Sequence, residues 1–413
     1  MISYSDALQI IRDTASCRKL ATETVSLENA IGRVCAEDLT AALDIQPFDN
    51  AAMDGFAVRV DNLARASEAN PVHLKQSGVI GAGQSVLGKH IEGGSCWHVM
   101  TGASLPKGTE GIVPIEDVVI EGETVIFIRP PKQEQHIRRA GQDFRKGSII
   151  ALTGERISPA HILPLGTLGI SRFAVSKKPR VLFISTGTEV VDDLNTSLGE
   201  GQIYNSNKPY ASAFLRACGA EIDLSKTIRD DQDSFLGALK AAEEEGYDMV
   251  VSSGAVSAGT YDFVKAGLEK FGAEILYHKI KLKPGKPNLF ARLPGGALYF
   301  GLPGNPVATS VGLRFFVAEA LRVLQGQKQE SPVFARAMNR FSKKPGLHMV
   351  LKSRLESWED GSLSADILDG QESFMVSPFL MMNGWLHVPE DTETIKAGDV
   401  VEIYPLQPQN RIL

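Results

Sequence analysis

The chain is poor in the residues that crosslink proteins or hold soft metals. Its four cysteines, Cys17, Cys35, Cys96 and Cys218, lie far apart with no CxxC pairing. That pattern predicts buried free thiols in a reducing compartment and excludes a disulfide framework. The eight histidines show no HxxxH or HxH spacing, so any metal is expected to be hard and oxygen-ligated. No apolar run approaches the roughly 20 residues that span a bilayer, and no membrane partner is expected. The N-terminal MISYSDALQIIRD carries acids where a signal peptide would carry a basic region and then an apolar one, so a cytoplasmic location is expected. A net charge of -6 argues against general nucleic-acid binding, while leaving room for local basic patches. Internal repeats and low-complexity linkers are absent from the sequence.

What is present reads as several domains. At 413 residues the chain exceeds what one hydrophobic core usually organises, and two to four domains are expected. Ser5 to about Ala15 has the apolar spacing of an opening helix, and a second helical stretch is expected near Ser26–Val34. In DIQPFDNAAMDGFAV, Pro47 stops regular structure, and Asp49, Asn50, Asp54 and Gly55 crowd a loop. It is either an Asx-rich turn entering a strand or a carboxylate presented on a rigid turn. Short β-like runs divided by glycine continue from Phe56 to about Phe127, suggesting a small β domain. Within it, MTGA places the Thr101 hydroxyl near a turn, and Arg138, Arg139 and Asp143 follow. Ser158-Pro159 then caps a helix start.

From Lys178 the pattern alternates. RVLFIS, AEIDLSK, MVV, EILYHKI and ALYFGL read as strands, with helices beginning after YNSN, near Asp231 or Asp233, at Asp262 and at Val307. This predicts a doubly wound, mostly parallel α/β sheet. Ligands in such sheets sit beyond the C-terminal strand ends, where STGTEV, SSGAVSAG and GLPGNP fall. The loop Ser252–Gly259 is either a backbone cradle for an anion or a plain βα connection. After Gly326 only short strands remain, and a small all-β barrel or sandwich is expected.

Two further groups carry chemistry. In KIKLKPGKP, Lys279, Lys281, Lys283 and Lys286 alternate on an extended, proline-stiffened segment and would point to one side. The segment is either a solvated edge or a set of point charges for phosphate or oxyanion. Pro303-Gly304-Asn305-Pro306 ends a strand and opens a helix as a donor-poor rigid turn. Acids gather at the same face, Glu189 after the first strand and Asp262 at a helix head. Carboxylates beside a phosphate site usually hold Mg²⁺; Asp262 could equally be an N-cap.

Eight ordered motifs, FDNAAMDGFAV, MTGASLPKGTEGIVPIED, IRRAGQDFRKG, STGTEV, GQIYNSN, SSGAVSAGTYDFVK, KLKPGKPNLFA and GLPGNPV, resemble the molybdopterin molybdenumtransferase family (MoeA and the gephyrin E domain). The resemblance runs from about residue 3 to the C-terminus. It implies insertion of molybdenum from molybdate into adenylyl-molybdopterin with release of AMP, in the presence of Mg²⁺. It also implies an elongated homodimer and contact with the molybdopterin adenylyltransferase and other cofactor-pathway proteins. By motif, Asp54, Thr101 and Asp143 would line the site from the β-rich side. Glu189, Asp262, Lys279, Lys283 and Lys286, with Pro303 and Pro306, would line it in the α/β domain. Asp54, Asp143, Glu189 and Asp262 are then the catalytic candidates, and Glu189 and Asp262 the metal ligands. Thr101, Ser257, Gly259 and Asn305 join the lysines and prolines as substrate-binding candidates. The resemblance further implies a discontinuous linker and dimerisation domain (1–46 and 141–177), a β-rich insertion (47–140), an α/β domain (178–326) and a C-terminal β-barrel (327–413). The chain departs from the family at Ala51, Thr188, Asn205 and Ala255, each change removing a hydroxyl, a carboxylate or a flexible glycine. A pterin-binding paralogue without turnover and a molybdopterin adenylyltransferase are the alternative functions.

Overall fold

The computed structural model describes residues 1–228, 231–254 and 263–408. Strand Arg180–Ser185 is buried at all but its first position and seeds a six-stranded sheet. The order is Glu221–Leu224, Arg180–Ser185, Met249–Ser253, Leu298–Leu302, Leu289–Arg292, Glu274–His278. The first four strands are mutually parallel, and Leu289–Arg292 alone runs antiparallel to both its neighbours, so that Glu274–His278 again runs with the first four. The mostly parallel sheet is therefore as expected, but strand Leu289–Arg292 reads as a connection in sequence, hidden behind the prolines of KPGKP.

Side-chain alternation gives this sheet two cores. Val181 and Phe183 face one layer with Met249, Val251 and Phe300, under helices Asn207–Ala217 and Pro306–Gly312. Leu182 and Ile184 face the other with Val250 and Tyr299, under helices Gln232–Glu244 and Phe263–Phe271. A period of two along a strand makes both faces apolar when helices cover both. The last helix is not continuous. Its 306–312 and 318–324 segments flank a π-turn, Leu313–Val317, buried throughout.

The N-terminal helix spans Tyr4–Ser16, where Ser3 and Asp6 form a reciprocal capping box. It packs on Ala318–Leu324, and Arg12 donates to Glu319 at 2.5 Å. The helix expected near Ser26–Val34 reduces to one 3₁₀ turn, Leu27–Asn29. Gly32, with φ +76°, turns the chain before a regular helix can extend.

At the C-terminus, five strands close into a barrel: His348–Ser357, Leu363–Ile367, Val333–Ala337, Val400–Pro405 and Gly384–Val388. Pairing of His348–Ser357 with Gly384–Val388 completes the ring, around Leu351, Leu386 and Ile403. The barrel and the α/β sheet belong to one compact unit (1–37, 153–157, 174–413), and a second unit comprises 38–152 and 158–173.

That second unit holds another six-stranded sheet, ordered Gly111–Pro114, Gly55–Val58, Ser95–Val99, Val72–Ile80, Thr124–Phe127, Val118–Glu121. Phe56, Leu74, Val125 and Phe127 form its core, so the small β domain is present. Helix Pro159–Thr167 starts where Ser158-Pro159 predicts it.

Of the cysteines, none of which forms a disulfide, Cys35, Cys96 and Cys218 are buried, but Cys17 is exposed just past the first helix. Burial pushes the Cys96 and Cys218 thiols up to about 12, which keeps them unreactive. Among the described residues no helix is long and apolar enough to cross a membrane.

Candidate active site

Three parallel strands end in register at Ser185, Ser253 and Leu302. Beyond them lies a cleft of about 650 Å³ whose lining includes Thr186, Glu189, Asn205, Gly254, Pro303 and Asn305. Gly254 lets two strand ends meet: its φ is +100°, and a Cβ there would strike the Thr186 hydroxyl and carbonyl. At Gly187, φ +137°, an added Cβ would come 2.9 Å from a Glu189 carboxylate oxygen. Glycine there lets the exposed Glu189 carboxylate fold back over its own loop, where it meets no hydrogen-bond donor among the described residues.

A polar network anchored on the buried Asn205 fixes that loop. Asn205 is 4% exposed, and its Nδ2 donates to Ser185 Oγ, Asp192 Oδ1 and Thr227 Oγ1 at 3.0, 2.8 and 3.2 Å. Asp192 also accepts from Thr227 N, Thr227 Oγ1 and Lys208 Nζ at 2.9, 2.6 and 2.9 Å. Although burial alone would raise it, the donors from Lys208, Thr227 and Asn205 hold the Asp192 carboxyl well below the usual range. The backbone repeats the tie: Ile203 N donates to Glu189 O and Asn205 N to Val191 O, both at 2.9 Å. Nothing in the letters VVDD distinguishes Asp192 from its neighbour Asp193, so the sequence reading misses this residue.

The turn Pro303–Pro306 is equally constrained. Thr309 Oγ1 donates to the Pro303 carbonyl at 2.5 Å, Asn207 Nδ2 donates to the Gly304 carbonyl at 2.7 Å, and Asn305 Nδ2 donates to Ser373 Oγ at 2.9 Å. Pro303, Asn305, Pro287 and Phe374 are shared with a second cleft, of about 760 Å³. Lys283, Lys286, Lys343 and Lys344 make that cleft basic. Lys343 is engaged by the Leu347 and Glu390 carbonyls. Lys283 and Lys286 are exposed and have no carboxylate partner among the described residues.

The alternating lysines do not all point one way. Lys279 adopts a left-handed backbone, φ +72°, which breaks the extended run. Lys281 turns to Glu390 at 3.8 Å, and Lys279 lines neither cleft among the described residues. Only Lys283 and Lys286 share a cavity.

Asp54, Thr101 and Asp143 belong to the second unit. Thr101 N and Oγ1 both donate to Asp54 Oδ1 at 2.6 Å, and these bonds hold the exposed carboxyl below its ordinary range. Asp54 thus stands exposed on the turn that enters strand Gly55–Val58, a geometry that both sequence readings share. Asp143 is exposed, with its amide bonded to the Ile45 carbonyl at 3.0 Å. Asp262, Ser257 and Gly259 lie outside the described residues.

The donor set can be tested against Mg²⁺. Among the described residues no cluster of three acidic or metal-binding side chains exists, and the Asp192 oxygens are already taken by the protein's own donors. Glu189 remains as a free oxygen ligand facing the cleft. That fits an ion that uses one or two carboxylates and draws its other ligands from substrate and water. The Asn205 departure also gains a reason: an aspartate there would set a second carboxylate against Asp192. Nothing in the structure explains the Thr188 departure.

Comparison with known proteins agrees with this architecture. Residues 2–169 match the MoeA N-terminal region (domain I and II), 182–323 a probable molybdopterin binding domain, and 335–406 the MoeA C-terminal region (domain IV). A molybdopterin molybdenumtransferase of Synechococcus elongatus is 35% identical over 98% of this chain and 100% of its own length. The Haemophilus influenzae protein of the same name is 32% identical over 93% and 94%. The molybdopterin biosynthesis MoeA protein of Pyrococcus horikoshii superposes with a TM-score of 0.82 at 29% identity, covering 98% of this chain and 99% of that one. The chain belongs to the MoeA family of molybdopterin molybdenumtransferases, proteins of molybdenum cofactor biosynthesis.

Proposed function

We propose that this protein inserts molybdenum from molybdate into adenylyl-molybdopterin and releases AMP. The observation that carries the reading is the pair of adjoining clefts at the strand ends. One presents the unpartnered Glu189 and the other the unpaired Lys283 and Lys286, with the Pro303–Pro306 turn between them. Lysine ammonium groups act as point charges for oxyanions and phosphates, so the basic cleft suits the anionic substrates. The locked turn and the Asp192–Asn205 network hold the walls in place before substrate arrives, which lowers the ordering cost of binding.

Mg²⁺ would be held by Glu189 and Asp262. When bound, it offsets charge on the phosphate oxygens that bridge the adenylyl group and the pterin. The proposal extends to a homodimer in the cytoplasm that meets the adenylyltransferase and other cofactor-pathway proteins. It extends also to a four-domain division at residues 46, 140, 177 and 326. The experiment is AMP release from adenylyl-molybdopterin with Mg²⁺, with and without excess chelator. Full activity in chelator would remove Mg²⁺ from the account.

A further inference from the structure

Phe374 combines two features that rarely meet. Its side chain is 68% exposed, yet the backbone on both sides of it is tied down. The ammonium of Lys352, a residue only 1% exposed, donates to the carbonyls of Gly370, Glu372 and Met375 at 2.5, 3.2 and 2.8 Å. Gln371 and the Lys352 backbone exchange two further hydrogen bonds of 2.9 Å. Immediately before the ring, Val307 N donates to the Ser373 carbonyl at 3.1 Å and Asn305 Nδ2 to the Ser373 hydroxyl at 2.9 Å. The barrel strand and the Pro303–Pro306 turn therefore hold the segment between them.

The position is as telling as the rigidity. Phe374 lines both clefts, at the seam between the Glu189 side and the lysine side. Leu380 and Met381, a few residues on, are 88% and 57% exposed and line neither. Exposure alone would describe all three as one apolar surface strip. Among the described residues Tyr204 and Val376 line the Glu189 cleft and Phe341 lines the lysine cleft, but Phe374 is the one aromatic residue that lines both, and it lies in the cleft of Lys283 and Lys286, which can take an anionic tail.

We propose that Phe374 is a stacking platform for the planar heteroaromatic ring of a phosphorylated ligand, set at the seam of the two clefts. This rests on the proposed function, whose substrate carries two such rings, a purine and a pterin. A ring on an aromatic face gains from offset stacking, and the ordering cost is reduced because the backbone that carries the platform is already fixed.

The test uses the full chain and isothermal titration with AMP and, separately, with neopterin monophosphate. Phe374→Ala should weaken at least one probe roughly 5- to 150-fold, the range for loss of one stacked ring, while Phe374→Trp retains it. Molybdate binding and the thermal unfolding midpoint should stay as in the wild type. Leu380→Ser should leave both probes unaffected. Weakening of AMP alone assigns the platform to the purine, and weakening of the pterin alone assigns it to the pterin. Wild-type affinity of Phe374→Ala for both probes overturns the inference. So does failure of the wild-type protein to bind either, or an equal loss in Leu380→Ser. AMP release by the wild type is scored separately: turnover without dependence of binding on Phe374 refutes the platform and leaves the function standing. Phe374-dependent binding without turnover does the reverse.

Discussion

Replacing Asn205 with aspartate should loosen the Glu189 loop in a pH-dependent way. Asn205 Nδ2 donates to Asp192 Oδ1 at 2.8 Å, so Asn205→Asp removes donors and brings in a second carboxylate. Two unit charges about 4 Å apart repel by about 4 kcal/mol at an effective dielectric of 20, and each lost hydrogen bond adds about 1 kcal/mol. The pair lowers this cost by keeping one proton, so one carboxyl has a folded-state value raised above the unfolded value near 3.9. A raised folded value means that the native loop binds more protons than the open one, so the variant's deficit grows as pH rises. The assay is hydrogen exchange of peptides covering residues 186–208, which reads local opening without requiring two-state unfolding of a chain with several domains. Against the wild type at each pH, protection should fall by roughly two to three orders of magnitude at pH 8 and by less at pH 5. The exchanged pair Asp192→Asn with Asn205→Asp should recover part of the loss, since it restores one acid and one amide. Unchanged protection in Asn205→Asp, or an equal loss at both pH values with no recovery in the exchanged pair, would refute the reasoning.

Lys286→Ala should weaken binding of anionic substrate about ten- to a hundredfold with little effect on unfolding, since a charge-assisted hydrogen bond contributes roughly 1.5–3 kcal/mol. Isothermal titration with the substrate checks it. The barrel should lose stability in mild acid through His348 and His387, whose ring nitrogens meet at 3.0 Å beside Tyr4. Burial, then the Lys343 charge, pushes His348 down to about 4, and burial, then the charges of His348 and Arg314, pushes His387 well below its usual value. A lowered folded value contributes stability above the unfolded value near 6.5 and loses it as pH falls toward about 4, amounting to about 3 kcal/mol for His348. Denaturation of the wild type and His348→Gln across pH 4–7 should show a steeper acid loss in the wild type. For the proposed homodimer, Asp54→Ala and Asp262→Ala should each be nearly inactive. Mixed after subunit exchange, they should recover about a quarter of wild-type activity, because about half the dimers are mixed and each holds one intact site. No recovery would place both residues in one chain's site.

Much of the architecture was legible because the physics is local. RVLFIS and MVV are buried runs too short for helices, and the Asp231 cap and the Gly246 stop bracket a helix that forms as read. The barrel was legible as short strands, although its closure rests on a pairing between Lys352 and Trp385 that no local pattern announces. The misreadings come from backbone and long-range effects. Lys279 breaks the lysine run through its own φ, and Leu289–Arg292 becomes a strand because neighbours on both sides pair with it. Asp192 is not legible because its bonds reach Thr227 and Lys208, and the setting of Phe374 is not legible because Lys352 ties the carbonyls of its neighbours Glu372 and Met375 from a barrel strand. The motif-bearing Glu189, Lys283, Lys286, Pro303 and Asn305 were found from their letters, and the structure brings them to adjoining clefts.

The most direct test of the central claim is a single reaction with two readouts. Purified protein, adenylyl-molybdopterin, Mg²⁺ and molybdate are combined, AMP is quantified by chromatography, and molybdenum bound to the pterin product is quantified by mass spectrometry. The account predicts that both appear together in equal amounts and that omitting molybdate suppresses both. AMP release without molybdenum in the product, or no AMP release under any of these conditions, would contradict it.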